Sequence, residues 1–199
     1  MQDTFLTLAE DSQGLYKEKG SRFISFAMPV SSTEDVKAKL QVFKKNYYDA
    51  RHICYAYVLG KNGTVFRSND DGEPSGTAGK PILGQINSKD LTNVLVVVVR
   101  YFGGILLGTG GLVIAYREAA ADAIQNNKIV SRLVESNIAI QFSYERMNDV
   151  MRIVKENSLT ITSQHLDTKC FMSFKVRESF VEQLKENLHK IEGVSLLFQ

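Results

Sequence analysis

Two short segments concentrate the residue types that can do chemistry. They are Asn69-Asp-Asp-Gly-Glu-Pro-Ser-Gly-Thr-Ala-Gly-Lys80 and Arg100-Tyr-Phe-Gly-Gly-Ile-Leu-Leu-Gly-Thr-Gly-Gly111, and together they hold eight of the 14 glycines. The first gathers Asp70, Asp71 and Glu73, oxygen donors of the kind that hold Mg²⁺. Read as a calcium loop with Gly72 at the sixth position, it puts Arg67 and Ala78 at the first and last ligand positions, and both fail. The alternative is a solvated acidic turn. The second segment follows an apolar strand and opens a helix, a geometry that points backbone N–H groups at an anion. It misses the known phosphate templates: no lysine stands between Gly108 and Thr109, and Val113 replaces the last small residue of a dinucleotide fingerprint. Anion binding therefore stands beside a plain tight connection. His52 and Cys54 lie two apart on an expected strand and so share a face. A thiolate relay would need a third, orienting group that the sequence does not supply, and a buried structural cysteine is the simpler reading. His165 and His189 fall on regular elements, without partners in sequence.

The elements that must position these residues follow from periodicity. Phe5 to Leu8 reads as a strand, as do Phe23, Ser25 and Ala27. Ser31 with Glu34 makes a capping box, and Val36, Leu40, Phe43 and Tyr47 continue at helical spacing. Acidic Glu34 and Asp35 at the start and Lys44 and Lys45 at the end suit the helix dipole. Strands at Ile53–Leu59 and Thr64–Arg67 flank a turn with Gly60 and Gly63, and Pro81–Asn87 reads as a short helix. Val94–Val99 is apolar on both faces, as expected of a central strand covered on both sides. Gly103–Gly111 is expected to be a loop, feeding a helix from Leu112 to Asn126.

Beyond Ser131 the punctuation changes. Thirteen of the 14 glycines and all three prolines lie before residue 112, and only Gly193 follows. Residues 1–131 carry 15 basic and 13 acidic groups, whereas residues 132–199 carry nine of each. We therefore expect two domains, 1–131 and 132–199. The second opens on a strand at Ile138, Ile140 and Phe142 and a helix at Met147, Val150, Met151 and Val154. A hairpin follows (Leu159–His165, then Cys170, Met172, Phe174 and Val176), then a helix through Val181, Leu184, Leu188 and Ile191, and a last strand at Val194, Leu196 and Phe198. The order βαββαβ is the ferredoxin-like split βαβ, so the fold class is α+β. RNA-recognition motifs share this topology. Here the third strand has Cys170 and Ser173 where that motif wants glycine and an aromatic, so its stacking platform is incomplete.

The chain of 199 residues is 44% hydrophobic and 23% charged, values of a globular protein, with formal net charge +2. That balance excludes holding nucleic acid by bulk charge and leaves room for a local basic site. Cys54 and Cys170 make no disulfide framework, and no CxxC or Cys/His cluster offers a zinc site. Asp3, Glu10, Asp11, Lys17, Glu18 and Lys19 interrupt the first twenty positions, and the longest apolar run is Val94–Val99. A soluble, cytoplasmic protein with no membrane partner is expected.

The two glycine-rich segments also carry a resemblance. Asp70-Asp-Gly-Glu-Pro-Ser-Gly-Thr-Ala-Gly-Lys-Pro-Ile-Leu83 and Val96-Val-Val-Val-Arg-Tyr-Phe-Gly-Gly-Ile-Leu-Leu-Gly-Thr-Gly-Gly-Leu-Val113 closely resemble the YigZ/IMPACT family, as do Lys19-Gly-Ser-Arg-Phe-Ile24 and Arg51-His-Ile-Cys-Tyr-Ala-Tyr57. The sequence departs from the family pattern at Ile114, where arginine is usual, and at Arg117, where glycine is usual. The resemblance implies a first domain folded like the second domain of a small-subunit ribosomal protein, and a second like the last domain of elongation factor G. It implies translational control, the role of the eukaryotic members. The expected function is a non-enzymatic regulator of translation that binds ribosome, RNA or a translation-regulating protein and needs no cofactor. Its expected binding residues are Arg22, His52, Arg67, Asp70, Asp71, Glu73, Ser75, Lys80, Arg100, Tyr101, Gly103, Gly104 and Gly110. The alternative is a metal-assisted hydrolase acting on an anionic substrate at Asp70, Asp71 and Glu73.

Overall fold

A computed structural model describes residues 3–197. The chain divides into two compact units, Phe5–Arg132 and a second running from Leu133 onward with the N-terminal stretch up to Thr4. The first unit is built on a five-stranded antiparallel sheet of β2 (Ser12–Glu18), β3 (Ser21–Pro29), β4 (His52–Leu59), β5 (Val65–Asn69) and β6 (Val94–Tyr101). Its strand order is β2-β3-β6-β4-β5, which puts β6 in the middle. Helix α1 (Thr33–Asn46) covers one face; α2 (Gly79–Ser88) and α3 (Gly108–Gln125) cover the other.

The double-sided apolar run is thereby explained. Val94, Val96 and Val98 pack under α2 and α3 with Ile82, Ile86, Ala115 and Ala119, while Leu95, Val97 and Val99 meet Val36, Leu40 and Phe43 of α1. An antiparallel sheet buried on both faces loses the usual alternation, and the sequence shows that loss. A short ribbon pairs β1 (Thr4–Leu8) with β7 (Ile129–Leu133).

Two local expectations shift, and one strand appears that periodicity did not mark. Helix α1 is capped by Ser32, not Ser31: Ser32 Oγ accepts from Asp35 N at 3.2 Å, and Asp35 Oδ2 accepts from Ser31 N at 3.1 Å. Ser32 and Asp35 thus take the roles expected of Ser31 and Glu34, with the Asp35 carboxylate accepting from the residue before the cap. Helix α3 begins at Gly108, so Gly108–Gly111 form its first turn rather than a loop; glycine's poor helix propensity hid them. Strand β2 gave no clear alternation because it is an edge strand, with Leu15 48% exposed, held by β3 and α3. At Gly14 a Cβ would lie 2.5 Å from Ala123 N, so glycine is needed where the helix crosses the strand.

The second unit is the expected βαββαβ arrangement of β8 (Glu135–Ser143), α4 (Met147–Glu156), β9 (Thr160–His165), β10 (Lys169–Arg177), α5 (Val181–His189) and β11 (Ser195–Leu197). The sheet order is β11-β8-β10-β9, the ferredoxin-like order. Cys170, Met172, Phe174 and Val176 face the core with Val150, Val154, Leu184 and Leu188. Phe174 is therefore core, and Phe171 lies on the opposite, helix-free face, 37% exposed. Phe198, expected in the last strand, lies outside the described residues.

Candidate functional site

The three carboxylates of the first glycine-rich segment do three different jobs. Asp70 Oδ1 accepts from Ala78 N at 3.0 Å and Gly79 N at 2.8 Å, and its Oδ2 accepts from Gly76 N at 2.9 Å. It thus caps the start of α2 from outside the helix. Burial pushes the Asp70 carboxyl up, but the three backbone donors and Lys80 outweigh burial and hold it below the usual carboxylate range. Gly79 is required here, since a Cβ would lie 2.6 Å from Asn69 N. Asp71 Oδ2 accepts from Ile53 N at 2.7 Å, and its carbonyl meets His52 Nδ1 at 2.8 Å. A carbonyl only accepts, so Nδ1 carries the proton and leaves Nε2 3.9 Å from Glu73 Oε1.

Glu73 is the buried one, its side chain 3% exposed. Its Oε1 accepts from Arg100 Nη1 at 2.6 Å and from Tyr116 Oη at 2.7 Å. With Asp70 and Asp71 spent on backbone N–H groups and Glu73 on side chains of β6 and α3, the oxygen cage that the metal-assisted alternative requires is not formed. Among the described residues no group of three His, Cys, Asp or Glu is placed to hold a metal ion.

The second segment leaves β6 and crosses the chain at Gly20–Ser21. A Cβ on Gly103 would lie 1.9 Å from Gly20 C, and Gly103 N donates to Ser21 Oγ at 3.1 Å. Gly103 is therefore required as glycine by the crossing of the two segments. Gly104 and Gly108 take φ of +89° and +71°. Helix α3 then starts without a side-chain cap on Leu107 and without an acidic residue in its first turn. A Cβ at Gly110 would meet nothing within 4 Å, so packing within the chain does not demand glycine there.

The two segments meet in a cleft of about 430 Å³. Glu73 and Pro74 come from the first, Phe102 and Leu106–Thr109 from the second, and Arg51, His52 and Arg100 from the ends of β4 and β6. Arg100 sits between two rings, its Cζ 5.4 Å from the Phe23 centroid and 5.7 Å from that of Phe102. Its side chain is 8% exposed, and its Nε is buried without a hydrogen-bond partner among the described residues. Phe102 is 44% exposed at the cleft edge. One carboxylate thus faces two guanidinium groups and a helix start, and that carboxylate is already engaged.

Cys54 is no nucleophile. Its thiol donates to the Asp70 carbonyl at 3.0 Å and lies 3.4 Å from Tyr116 Oη, and burial pushes its pKa far above the ordinary thiol value. Burial, together with Cys54 and Glu73, likewise raises the Tyr116 phenol, so it serves as a neutral donor.

The sheet divides the residues expected to form one binding face. Cross-strand register pairs Arg100 with both Phe23 and His52, on the α2/α3 side. Arg22 pairs with Tyr101, and Arg67 with Tyr57, on the α1 side. Arg22 stacks its guanidinium 5.2 Å over Tyr101, whose hydroxyl donates to Asp49 at 2.8 Å. Ser75 and Lys80 are exposed on the first segment outside the cleft lining. Ile114 is exposed and Arg117 bonds Glu118, neither lining the cleft. Sequence reasoning passed over Tyr116, Phe102, Leu106 and Thr109. Tyr116 falls on the apolar stripe of α3 and reads as core; only its hydroxyl partner reveals a second role.

Comparison with known proteins agrees with the segments described above. Residues 19–124 match the family described as the Impact N-terminal domain. The chain is 30% identical over 190 residues to IMPACT family member YvyE of Bacillus subtilis (strain 168), covering 94% of this chain and 88% of that one. It is 37% identical over 134 residues to IMPACT family member YigZ of Escherichia coli (strain K12), covering 66% of each. A crystal structure described as that of a hypothetical protein superposes with a TM-score of 0.76 at 28% identity, covering 100% of this chain and 98% of the other. No helix of the described residues is long and apolar enough to cross a membrane.

Proposed function

The chain belongs to the IMPACT family, and from that premise we propose that it is a translation-associated regulator whose N-terminal cleft engages RNA. The translational role rests on what family membership implies. The choice of RNA rests on one observation: the cleft sets Arg51, Arg100, His52 and the uncapped start of α3 beside an exposed ring, Phe102. Cations and N–H groups take phosphate, and an exposed ring takes an unstacked base, the pairing that single-stranded RNA requires. The only carboxylate lining the cleft, Glu73, is neutralised by Arg100. Chemistry on a substrate has no such support, since Cys54 is protonated and the aspartates are spent on backbone donors.

Net charge of +2 supplies little long-range attraction, so binding would depend on a few local cations, with a salt slope set by their small number. Sedimentation with ribosomes, and gel shift with single-stranded RNA, across a salt series test this. Wild type is expected to associate at low salt, and Arg51→Ala to lower the salt slope by about 0.7 for a single-stranded phosphate contact. No association at any salt, or an Arg51→Ala variant with unchanged slope, would overturn the reading.

A further inference from the structure

We infer that the helix-free face of the second unit's sheet is a separate platform for single-stranded RNA, stacking a base on Phe171 and holding phosphates with Lys169, Lys175 and Arg177. The inference goes beyond the cleft reading by giving a site to the unit which that reading leaves without one. RNA rather than DNA follows from the translational role proposed above.

Strand register builds the platform. Helices α4 and α5 pack on one face of the β11-β8-β10-β9 sheet, with Cys170, Met172, Phe174 and Val176, and the alternate residues of β10 lie on the other face. Cross-strand partners share a face, so Phe171 stands between Gln141 of β8 and His165 of β9. Strand β10 by itself is one aromatic short of a stacking platform, with Ser173 in the place of the second ring. Strand β9 supplies a ring instead: the His165 and Phe171 centroids lie 6.5 Å apart. Phe171 is 37% exposed, and the neighbouring row holds Ala139 opposite Ser173, side chains too small to keep a planar base off the ring.

Charge names the occupant. Lys169, Lys175 and Arg177 lie on the same face of β10 as Phe171, all exposed, and such neighbours recur about every 7 Å along a strand. Among the described residues the face holds one carboxylate, Glu135, whose Oε2 is 4.0 Å from Lys175 Nζ. Residues 132–199 carry nine basic and nine acidic groups, and this face takes three of the first and one of the second. A unit without net charge thus gathers its cations around an exposed ring. A protein partner would ask for a contiguous apolar patch, yet Phe171 and Leu197 are the large exposed hydrophobic residues there among the described residues. Gln141 and Asn137 offer amides instead, which hydrogen-bond base edges. Cations for phosphate, a ring for a base and amides for its edge suit an unpaired strand, because a duplex keeps its bases stacked.

The test follows a fluorescein-labelled uridine decamer by anisotropy, across a salt series, with the full chain carrying Arg51→Ala to weaken the cleft. Binding should persist in that background, and adding Phe171→Ala should weaken it about tenfold, the scale of one stacked base. Phe171→Tyr keeps the ring and should bind as Phe171 does. Lys169→Ala with Lys175→Ala should lower the salt slope by about 1.4, two single-stranded phosphate contacts. These side chains are exposed, so the unfolding midpoint should stay in place and show that each variant is folded. Unchanged affinity on Phe171→Ala, or no binding of the decamer at low salt, would overturn the inference. A dimer in sedimentation velocity that Phe171→Ala dissolves would also overturn it, assigning the face to a second copy. If Arg51→Ala alone abolishes binding, this inference falls and the cleft reading stands. If Phe171→Ala alone abolishes binding while Arg51→Ala changes nothing, the inference stands and the cleft reading falls.

Discussion

Helices α2 and α3 are both entered from glycine-rich segments, both pack on the same face of the central sheet, and neither has a capping side chain on the residue before it. They differ in what meets the exposed N–H groups. At α2 the chain supplies its own anion, Asp70, through three backbone hydrogen bonds. At α3 it supplies none, and sets Arg51 and Arg100 in the same cleft instead. Two motifs of similar composition therefore differ: one carboxylate-rich loop supplies the anion that closes its helix, and one carboxylate-free turn starts a helix without an internal anion. Glycine content alone does not say which is which; the nearest acid does.

Mutating the carboxylates of the folding loop should break its side of this contrast most strongly. Glu73→Ala leaves a buried Arg100 guanidinium and the Tyr116 hydroxyl without their acceptor. Breaking such a pair costs about 3–5 kcal/mol. Denaturant unfolding, followed by hydrogen exchange at the β6 amides, should show a loss of that order. Glu73→Gln keeps an acceptor oxygen and should lose less. If Glu73→Ala unfolds like wild type, the pair contributes nothing and the segment is not structural.

Asp70→Ala should cost about 2 kcal/mol, the upper range for an N-cap carboxylate. The same residue gives a pH signature. The native Asp70 pKa is depressed, so its contribution is fully present above the unfolded value, ~3.9, and is lost as pH falls through the native value below it. Acid titration of stability should therefore show a decline below about pH 4 that Asp70→Asn lacks.

At α3 the expected effect is smaller and of opposite sign. Thr109→Asp supplies the missing charge and should stabilise the unit by about 0.3–1 kcal/mol, with the gain shrinking in high salt. A destabilised Thr109→Asp would mean the helix start is already satisfied, and the contrast with α2 would disappear.

Much of this was legible before the fold. The stripe Met147–Val154 and the hairpin ending in Cys170–Val176 state their partners through periodicity, and the apolar run Val94–Val99 does so through its loss of alternation, because burial on one face or on both imposes each pattern. Strand β2 was not legible, since an edge strand with Leu15 exposed has little burial to record. The site was half legible. Glu73, Arg100, His52 and the glycines stood out by type, but grouping Arg100 with Arg22, Arg67 and Tyr101 ignored the pleat. Adjacent residues such as Arg100 and Tyr101 point to opposite faces, and register then carries Arg22 and Arg67 away with Tyr101. The bonds from Asp70 to Ala78 and Gly79, and from Tyr116 to Glu73, span separations that no local pattern encodes.

The central claim is that an internal anion closes α2 and none closes α3, whose start lies in the cleft proposed to engage RNA phosphate. Titrating inorganic phosphate into ¹⁵N-labelled full-length protein, and following backbone amides in both segments, tests it most directly. The account predicts saturable shifts at Thr109, Gly110 and Gly111 and none at Gly76, Ala78 or Gly79. Shifts of equal size in both segments, or a titration that leaves the α3 amides unmoved at millimolar phosphate, would contradict it.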